Sequence, residues 1–453
     1  MKATRSLPRS TLLVLVLSVV GFAVQQTAVV PAIEDIQKDL HASGEWSAWL
    51  VTVYLVVATV STLAMGRLAD LHGRRRMLLV GLLVFAIGSV GAALAPGIVV
   101  LIVCRALQGV GGAVYPLTLS MARDRVPEEQ VTTAIGLLTA GFGVGTAIGF
   151  LGGGLLTAYA SWRWIFVLGA VLVATGALLV WRGIGEQQER AHGDFDVVGT
   201  VVLGAAAISL LTGLTLAVGL GWSSPVTIAL LALAAVAAVA WILVEHRVDD
   251  PLVDVHVLLD RRVATANLAT IGLGWLLFSV YLLVPEFIRA DPGAHGYGLG
   301  AGSAVVGYLL LPLAVAQTAA SVAAGSAVRR LGSRPVYATG LVVLAGASVL
   351  LALDRTSTLL TVGGTLLLGL GAGTALQAAS ATATEGVAPD VAAISASVNS
   401  TTRRLAGGIG GQVSTMLLAT LVVAGAPAVS AYTTAYAIGG GLCLLGAGVV
   451  ALG

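Results

Sequence analysis

The sequence predicts an all-α membrane protein with fourteen transmembrane helices, and its composition is the first evidence. Of its 453 residues, 57% are hydrophobic and only 10% are charged, whereas soluble domains carry about 25% charged residues. The mean hydropathy is +0.96. No water-soluble core could bury this much apolar surface, so the lipid bilayer must be the solvent.

The apolar runs give the number of spans. A spanning helix needs about 20 mostly apolar residues, and charged or Gly/Pro-rich loops separate fourteen such runs. They cover roughly residues 12–36, 47–69, 76–95, 98–121, 130–158, 163–182, 197–219, 225–244, 264–288, 302–325, 335–353, 358–381, 399–424 and 431–452. The first run is longer than the apolar core of a secretory signal, so we predict an uncleaved first helix.

The basic residues orient these spans, because cytoplasmic loops are enriched in lysine and arginine. Fourteen spans place 19 of the 24 basic residues on one side and four on the other, namely Lys38, Arg163, Arg289 and Arg355. The remaining one, Arg105, lies within a span. We therefore expect both the N and C termini to be cytoplasmic.

An internal repeat divides the chain. The segment from Gly325 to Arg334 is similar to the segment from Gly66 to Arg75, with Val328 in place of the acid. The repeat predicts two pseudo-symmetric six-helix bundles, as in many secondary transporters. The predicted division is 1–190 for the N-terminal bundle, 191–250 for two inserted transmembrane helices and 251–453 for the C-terminal bundle.

The most distinctive motif is GRLADLHGRRR, residues 66–76, between the second and third apolar runs. It places Asp70 between Gly66 and Gly73 and before Arg74. Glycine permits tight turns and close helix approach, and an ion pair at a seam can break and re-form between two rigid-body states. The motif therefore predicts a latch. The alternative is a positive-inside anchor in which Asp70 only balances charge.

This motif resembles the loop between the second and third spans of the major facilitator superfamily, and the whole chain is similar to its fourteen-span drug:proton antiporters. Further segments carry the resemblance in the family's order: WLVTVY (49–54), RALQG (105–109), Gly145 to Gly154, SWRWIF (161–166), DFDVVG (194–199), GW (221–222) and NSTTRRLAGG (399–408). The resemblance implies a monomeric, multi-pass protein of the cytoplasmic membrane whose two halves rock about a central site. It also implies export in exchange for protons.

The resemblance assigns roles to particular side chains. Asp70 would pair with Arg74, and with Arg123 or Arg125, and so close the cytoplasmic side. Arg105 lies within the fourth span, where a charge is expensive and faces a cavity or a partner. The resemblance implies that Arg105 takes part in proton coupling, and structural pairing with backbone carbonyls is the alternative.

Small residues one turn apart mark the fifth span, at Gly145, Gly149, Gly153 and Gly154. Such spacing lets helix backbones touch and slide, and ordinary packing is the alternative role. In the family, this glycine run contains a proline and is associated with export. Phe150 occupies the proline's position here, so the implied kink is not expected.

The proton carrier is an open choice among three acids. Relatives carry an aspartate midway along the first span, whereas this chain has Gln25 and Gln26, which cannot titrate. The nearest acids are Glu34 and Asp35 at the outer end of that span, and Glu286 follows Pro285 near the outer end of the ninth. A carboxyl in a low-dielectric crevice can titrate at working pH, whereas a solvated one has no special role.

Amides and aromatic rings within the spans are candidates for a substrate cavity. They are Gln25, Gln26, Trp49, Tyr54, Gln108, Trp275, Tyr281, Gln317 and Gln377. Such side chains suit amphipathic molecules, including cations bound on ring faces, although each one alone is equally suited to packing. Arg403 and Arg404 at the start of the thirteenth run are interpreted as membrane anchors rather than ligands.

The sequence shows none of the motifs of an enzyme: no phosphate-binding loop, clustered metal ligands or nucleophile elbow. We therefore expect no cofactor and no nucleic-acid partner, with a proton gradient as the energy source. The predicted function is export of hydrophobic or amphipathic small molecules, including cationic ones, by proton antiport. Export of a lipid or secreted metabolite without strict proton coupling is one alternative, and a receptor or scaffold that transports nothing is another.

Overall fold

A computed structural model describes residues 9–125, 128–185, 196–248, 261–384, 389–423 and 425–452. Within these ranges the chain is almost entirely helical. The helices of the N-terminal half are α1 (Arg9–Ala28), α2 (Ile33–Asp39), α3 (Gly44–His72), α4 (Arg74–Ala93), α5 (Ile98–Gly109), α6 (Val114–Arg125), α7 (Glu128–Tyr159) and α8 (Arg163–Gly183). Short 3-10 turns at Val30–Ala32 and Val110–Ala113 join α1 to α2 and α5 to α6, so each pair forms one span.

The second part of the chain continues the same pattern. Its helices are α9 (Val197–Leu220), α10 (Pro225–Glu245), α11 (Arg261–Arg289), α12 (Pro292–His295), α13 (Ser303–Leu331), α14 (Ser333–Leu353), α15 (Thr358–Thr384), α16 (Pro389–Thr420) and α17 (Val429–Leu452). Two short strands, β1 (Val422–Val423) and β2 (Ala426–Pro427), pair antiparallel between α16 and α17.

The predicted all-α membrane fold is confirmed. In the described residues, thirteen helical segments are long and apolar enough to cross a bilayer. The fourteenth long helix is α16, which is 32 residues long and packs along α11 and α3. It is less apolar than the others because it carries Asn399, Arg403, Arg404 and several hydroxyl residues. It begins ten residues before the predicted span.

The same helix pairings recur in the two halves. In the first half, α1 packs on α7 and α8, α4 packs on α5 and α8, and α3 packs on α5. In the second half, α11 packs on α16 and α17, α14 packs on α15 and α17, and α13 packs on α15. These pairings are equivalent when each half is numbered from its first span, which indicates two pseudo-symmetric six-helix bundles. The exact boundaries at 190 and 250 stay a prediction, since residues 186–195 and 249–260 lie outside the described residues.

Two helix pairs form the seam between the halves: α7 with α13, and α3 with α16. Helix α9 packs beside α3 and α16, where Leu211 contacts Val56 and partly buried Leu405 lies against the same cluster. Helix α10 packs mainly on α9. The inserted pair therefore lies outside the two bundles, along one side of the seam.

The repeated loops share their backbone geometry. Gly73 joins α3 to α4 with φ 100°, and Gly332 joins α13 to α14 with φ 88°. Residues with a Cβ rarely adopt this φ, so glycine is required at both turns. Gly66 differs, because a Cβ there would meet nothing within 4 Å. The expected close helix approach at Gly66 is therefore wrong in this structure: the residue faces open space within α3.

The bundle has two end faces, named here the terminal face and the distal face. The terminal face carries Asp70, Arg74 and Arg329, and α1 begins and α17 ends there. The distal face is the opposite end and carries Glu34, Arg289 and Ser303. The arginine distribution predicts that the terminal face is cytoplasmic.

Candidate functional site

An ion-pair cluster joins the two halves at the distal face. Arg289, the last residue of α11, contacts Glu34 Oε2 at 3.0 Å and Asp35 Oδ2 at 2.7 Å from the other half. It also donates to the backbone oxygen of Pro31 at 2.6 Å. Ser303 Oγ completes the cluster by donating to Asp35 Oδ2 at 2.6 Å. The Arg289 side chain is only 10% exposed, so the distal seam is closed by a largely desolvated cation.

This cluster contains more acidic than basic side chains. Lys38 binds Glu34 at 2.5 Å within α2. Glu286 is exposed, one turn before Arg289 on α11, and the charged side chains that act on it are Glu34, Arg289 and Lys38. With Asp35, the cluster thus contains three carboxylates and two cations. The structure brings together all three acids predicted for proton coupling, Glu34, Asp35 and Glu286.

A second distal ion pair lies within the N-terminal half. Arg163 Nη1 contacts Asp39 Oδ2 at 2.6 Å, and the Trp162 indole donates to the same oxygen at 3.0 Å. The Arg163 guanidinium also lies 4.2 Å from the Trp162 ring centre. This pair fastens the end of α2 to the start of α8, so it stabilises one bundle and does not cross the seam.

Arg105 is buried in a polar network within α3, α4 and α5. Its Nε donates to the carbonyl of Leu50 at 2.9 Å, and its Nη1 donates to Gln108 Oε1 at 2.7 Å. Gln108 Nε2 in turn donates to Ser89 Oγ at 2.7 Å. The guanidinium carbon lies 4.5 Å from the ring centre of Tyr54. In this conformation Arg105 binds one backbone carbonyl, the kind of partner that the structural alternative predicted, and one side-chain amide. Its role in proton coupling stays a prediction.

Arg404 crosses the middle of the seam. It donates to the carbonyls of Ala58 at 2.9 Å and Gly112 at 3.1 Å, both in the N-terminal half, and to the hydroxyl of Thr62. The interpretation of Arg404 as a membrane anchor is therefore wrong. The residue lies near the middle of α16 and binds backbone oxygens of α3 and of the turn after α5, both inside spans.

A second polar contact crosses the same helix pair nearer the distal face. Gln412 Nε2 of α16 donates to Thr52 Oγ1 of α3 at 2.6 Å, and both side chains are buried. Together with Arg404 and Arg289, this bond makes the seam polar over much of its length. Sequence reasoning missed all three cross-half contacts.

A small cavity lies at the seam. Its polar lining residues are Gln26, Tyr54 and Arg105 of the N-terminal half and Tyr281 of α11, with Phe278 beside them. Its volume is about 10 Å³ for a water-sized sphere, the space of about one water molecule. Three of the nine side chains predicted to line a cavity therefore meet here in this conformation: Gln26, Tyr54 and Tyr281.

The other six predicted cavity residues lie elsewhere. Buried Gln25 fills the space beside Gly169 of α8 with both amide atoms unpaired, and Gln108 belongs to the Arg105 network. Trp275 packs between Gly410 and Gly439. The last three are Trp49, half-buried in α3; Gln317, buried in α13; and Gln377, near Gly325. The sequence predicted correctly that these residues lie in helices, but it could not predict which side of its helix each one occupies.

A larger cavity, of about 370 Å³, lies within the C-terminal helices at the terminal face. It is lined by residues including Thr265, Arg334 and Thr382 and does not reach the seam residues above. We therefore place the candidate site at the seam.

The glycines of α7 make the predicted close contacts. A Cβ at Gly145, Gly149 or Gly153 would lie 2.1–2.8 Å from α1 atoms, among them the carbonyl oxygens of Val20, Val24 and Ala28. Gly154 faces the other half instead, where an added Cβ would lie 2.5 Å from the backbone carbonyl oxygen of Ser303. With Phe150 at the proline position, α7 runs as one helix over Glu128–Tyr159, as expected.

At the terminal face, Asp70 pairs with Arg74 at 3.4 Å. Both side chains are partly exposed and belong to the same half. Arg75 donates to the carbonyl of Trp181 in the last turn of α8, and Arg125 donates to that of Gly185 after α8. Arg123 is exposed. Among the described residues, Asp70 meets no group of the C-terminal half, so the latch stays a prediction for another conformation.

Two pseudo-symmetric bundles of six helices that meet at a polar, ion-paired seam are the architecture of a secondary membrane transporter. The sequence profile of the Major Facilitator Superfamily matches residues 15–197. The puromycin resistance protein pur8 of Streptomyces alboniger is 32% identical over 85% of this chain and 76% of its own length. The chain belongs to the Major Facilitator Superfamily and is a multi-pass membrane transporter rather than an enzyme.

Other relatives are named for drug resistance. The multidrug resistance protein Stp of Mycobacterium tuberculosis is 29% identical over 86% of this chain and 72% of its own length. The multidrug transporter protein MdtP of Bacillus subtilis is 28% identical over 81% and 67%. Among solved structures, the human organic anion transporter MFSD10 has a TM-score of 0.66 over 98% of this chain and all of its own, at 14% identity. At that identity the likeness concerns the fold alone.

Proposed function

We propose that this protein exports amphipathic small molecules across the cytoplasmic membrane in exchange for protons. Its relatives are named for resistance to drugs and antibiotics, which supports a drug-like cargo. The observation that carries the coupling is the distal cluster, in which Arg289 of one half binds Glu34 and Asp35 of the other beside Glu286.

Because this cluster holds more carboxylates than cations, protonation should favour the closed distal seam, which is the direction that proton-driven export needs. With the distal seam closed, Glu286 and Glu34 repel each other, and a proton on Glu286 would relieve that repulsion. Proton binding therefore favours distal closure, the state that opens to the cytoplasm. An exporter driven by protons needs this preference, because the protonated form must return inward without cargo. Arg289 holds the seam, and Glu286 carries the proton.

The variant Glu286→Gln tests this assignment. Glutamine mimics the protonated acid, so the seam should still close and substrate exchange at equal pH should stay within about twofold of wild type. Accumulation driven by a pH gradient should fall about tenfold or more, since the cluster no longer gains and loses a proton. Proteoliposomes with an imposed pH gradient and a panel of dyes measure both activities.

A matched control is Asp291→Asn, which removes an exposed acid from the same face. The Asp291 carboxylate accepts a hydrogen bond from the backbone N–H of Gly293 at 2.9 Å and does not belong to the ion-pair cluster. It should retain gradient-driven accumulation. If Glu286→Gln still accumulated dye against a gradient, Glu286 would not be the proton carrier, and Glu34→Gln would be tested next.

The latch at the terminal face gives a separate prediction. Asp70→Asn should abolish transport while leaving membrane insertion intact. An exposed pair such as Asp70–Arg74 contributes about 0–1 kcal/mol, so its loss cannot unfold the protein. The transport defect would have to come from a state in which Asp70 meets the other half. An efflux assay measures transport, and the amount of protein in the membrane serves as the control for insertion. Efflux at the wild-type rate would contradict the latch.

A second candidate function is export of a lipid or secreted metabolite without strict proton coupling. The observation that favours it is Gln25, which is buried without a titratable group where related antiporters carry an acid. Proton release on adding substrate to detergent-solubilised protein separates the two. Tight binding without proton release favours the second function, and proton release favours antiport.

A further inference from the structure

The interior of the bundle is positively charged. Arg105 lies inside the span Ile98–Arg123. Arg403 and Arg404 lie near the middle of α16, where Arg404 contacts Ala58 and Gly112 inside two neighbouring spans. In contrast, the acidic residues that the structure describes lie within a few residues of a helix end. Among these described residues, no carboxylate is therefore positioned to neutralise the three cations.

The partners of these arginines are neutral. Arg105 and Arg404 bind backbone carbonyls, one amide and one hydroxyl, as described above, and Arg403 donates to Ser400 Oγ at 3.3 Å. The titratable groups that act on them are tyrosines and each other: Tyr54 for Arg105 and Arg404, and Tyr115 and Tyr337 for Arg403. Hydrogen bonds to neutral groups satisfy donors but leave the charge, which is costly inside a bilayer unless an anion compensates it.

The seam cavity also offers more donors than acceptors. Tyr54 is 2% exposed, lines the cavity beside Arg105, and its hydroxyl has no hydrogen-bond partner. Arg105 reaches this tyrosine from the N-terminal half, and Arg404 acts on it from α16 of the C-terminal half. Phe278 and Tyr281 supply the apolar wall. A guanidinium, an unpaired hydroxyl and aromatic rings suit a carboxylate, sulfonate or phosphate attached to a ring system.

We propose that the exported molecules are amphipathic organic anions, whose acidic group binds between Arg105 of one half and Arg404 of the other. This inference rests on the export function proposed above and specifies its substrate class. It replaces the cationic substrates that amides and aromatic rings suggested from sequence, since a cation at the seam cavity would be repelled by these arginines. The carboxylates at the seam belong to the distal cluster, where they lie with Arg289 and Lys38. An anion held by both halves would also sense their relative position, as a transported substrate must.

Three naphthalene probes with the same short linker test this proposal: one ends in a carboxylate, one in a hydroxyl and one in a trimethylammonium group. Counterflow into proteoliposomes should be fastest and saturable for the carboxylate. Arg404→Gln should weaken the apparent affinity for the carboxylate about tenfold or more, because a charge-assisted hydrogen bond is lost. The same variant should change the affinity for the neutral probe less than about twofold, and Arg404→Lys should restore part of the loss.

Arg182→Gln is the matched control, since Arg182 is exposed at the end of α8, away from the seam. It should leave all three affinities unchanged. Faster counterflow of the trimethylammonium probe, or an unchanged carboxylate affinity in Arg404→Gln, would overturn the anion assignment while leaving export intact. Absence of saturable counterflow for every probe and for the dye panel would instead refute the export function itself.

Discussion

Arg289→Gln should shift the protein away from the distally closed state by more than a hundredfold. The substitution leaves Glu34 and Asp35 facing each other without the cation that joins them to α11. Removing one partner of a largely buried ion pair costs about 3 kcal/mol or more, and each 1.4 kcal/mol is about tenfold in an equilibrium constant. Transport should fall below about a tenth of wild type, because the cycle needs both closed states.

The direction of this shift can be measured directly. Gln26 lines the seam cavity, so a Gln26→Cys variant should react faster with an impermeant maleimide added at the distal face once Arg289 is replaced. Both native cysteines, Cys104 and Cys443, are buried, which keeps the background labelling low.

Arg163→Gln is the control for Arg289. It removes a cation from the same face, but its partner Asp39 lies in the same half and the pair is more exposed. It should change labelling and transport by less than about threefold, consistent with the small energies of exposed ion pairs. Equal effects of the two variants would mean that Arg289 has only a general structural role.

The fold was predictable because the bilayer imposes a simple rule on sequence. Each span needs a long apolar run, which the sequence shows directly. The direction of the spans stays a prediction from the arginines between the runs. Two of the differences in helix bounds follow from local chemistry. The predicted span began ten residues after the true start of α16, because the first turns of this helix contain polar residues and do not form an apolar run. The first span ends late, because a 3-10 turn at Pro31 carries the helical path on into α2.

The site was predictable only in part. Glu34, Asp35 and Glu286 stood out as acids near span ends, but their common partner, Arg289, was counted only as a loop charge. One signal could have found it: Arg289 is one of only four basic residues on the predicted outer side. Arg404 was interpreted as an anchor because α16 was started too late, which placed it near the membrane surface. Contacts between distant segments, such as Thr52 with Gln412, depend on the packing of the halves and leave no local pattern.

Three consecutive glycines of α7 face three different environments, and this allows the seam to be tested with single methyl groups. A Cβ added at Gly152 would meet nothing within 4 Å. A Cβ at Gly153 would lie 2.1 Å from the backbone oxygen of Ala28 in the same half, and one at Gly154 would lie 2.5 Å from the backbone oxygen of Ser303 in the other half. Because the obstructing atoms at Gly153 and Gly154 belong to backbone, no side-chain rotation can relieve the overlap.

Gly154→Ala should therefore lower transport by about fivefold to a hundredfold, because it keeps the distal ends of α7 and α13 apart at a cost of about 1–3 kcal/mol for overpacking. Gly153→Ala should instead lower the thermal stability of the detergent-solubilised protein, since it separates α7 from α1 within one bundle. Gly152→Ala should be neutral or slightly stabilising, because alanine favours helix over glycine. If Gly154→Ala supported normal counterflow, the contact between α7 and α13 could not be part of the transport cycle, and the closed distal seam would be incidental to function.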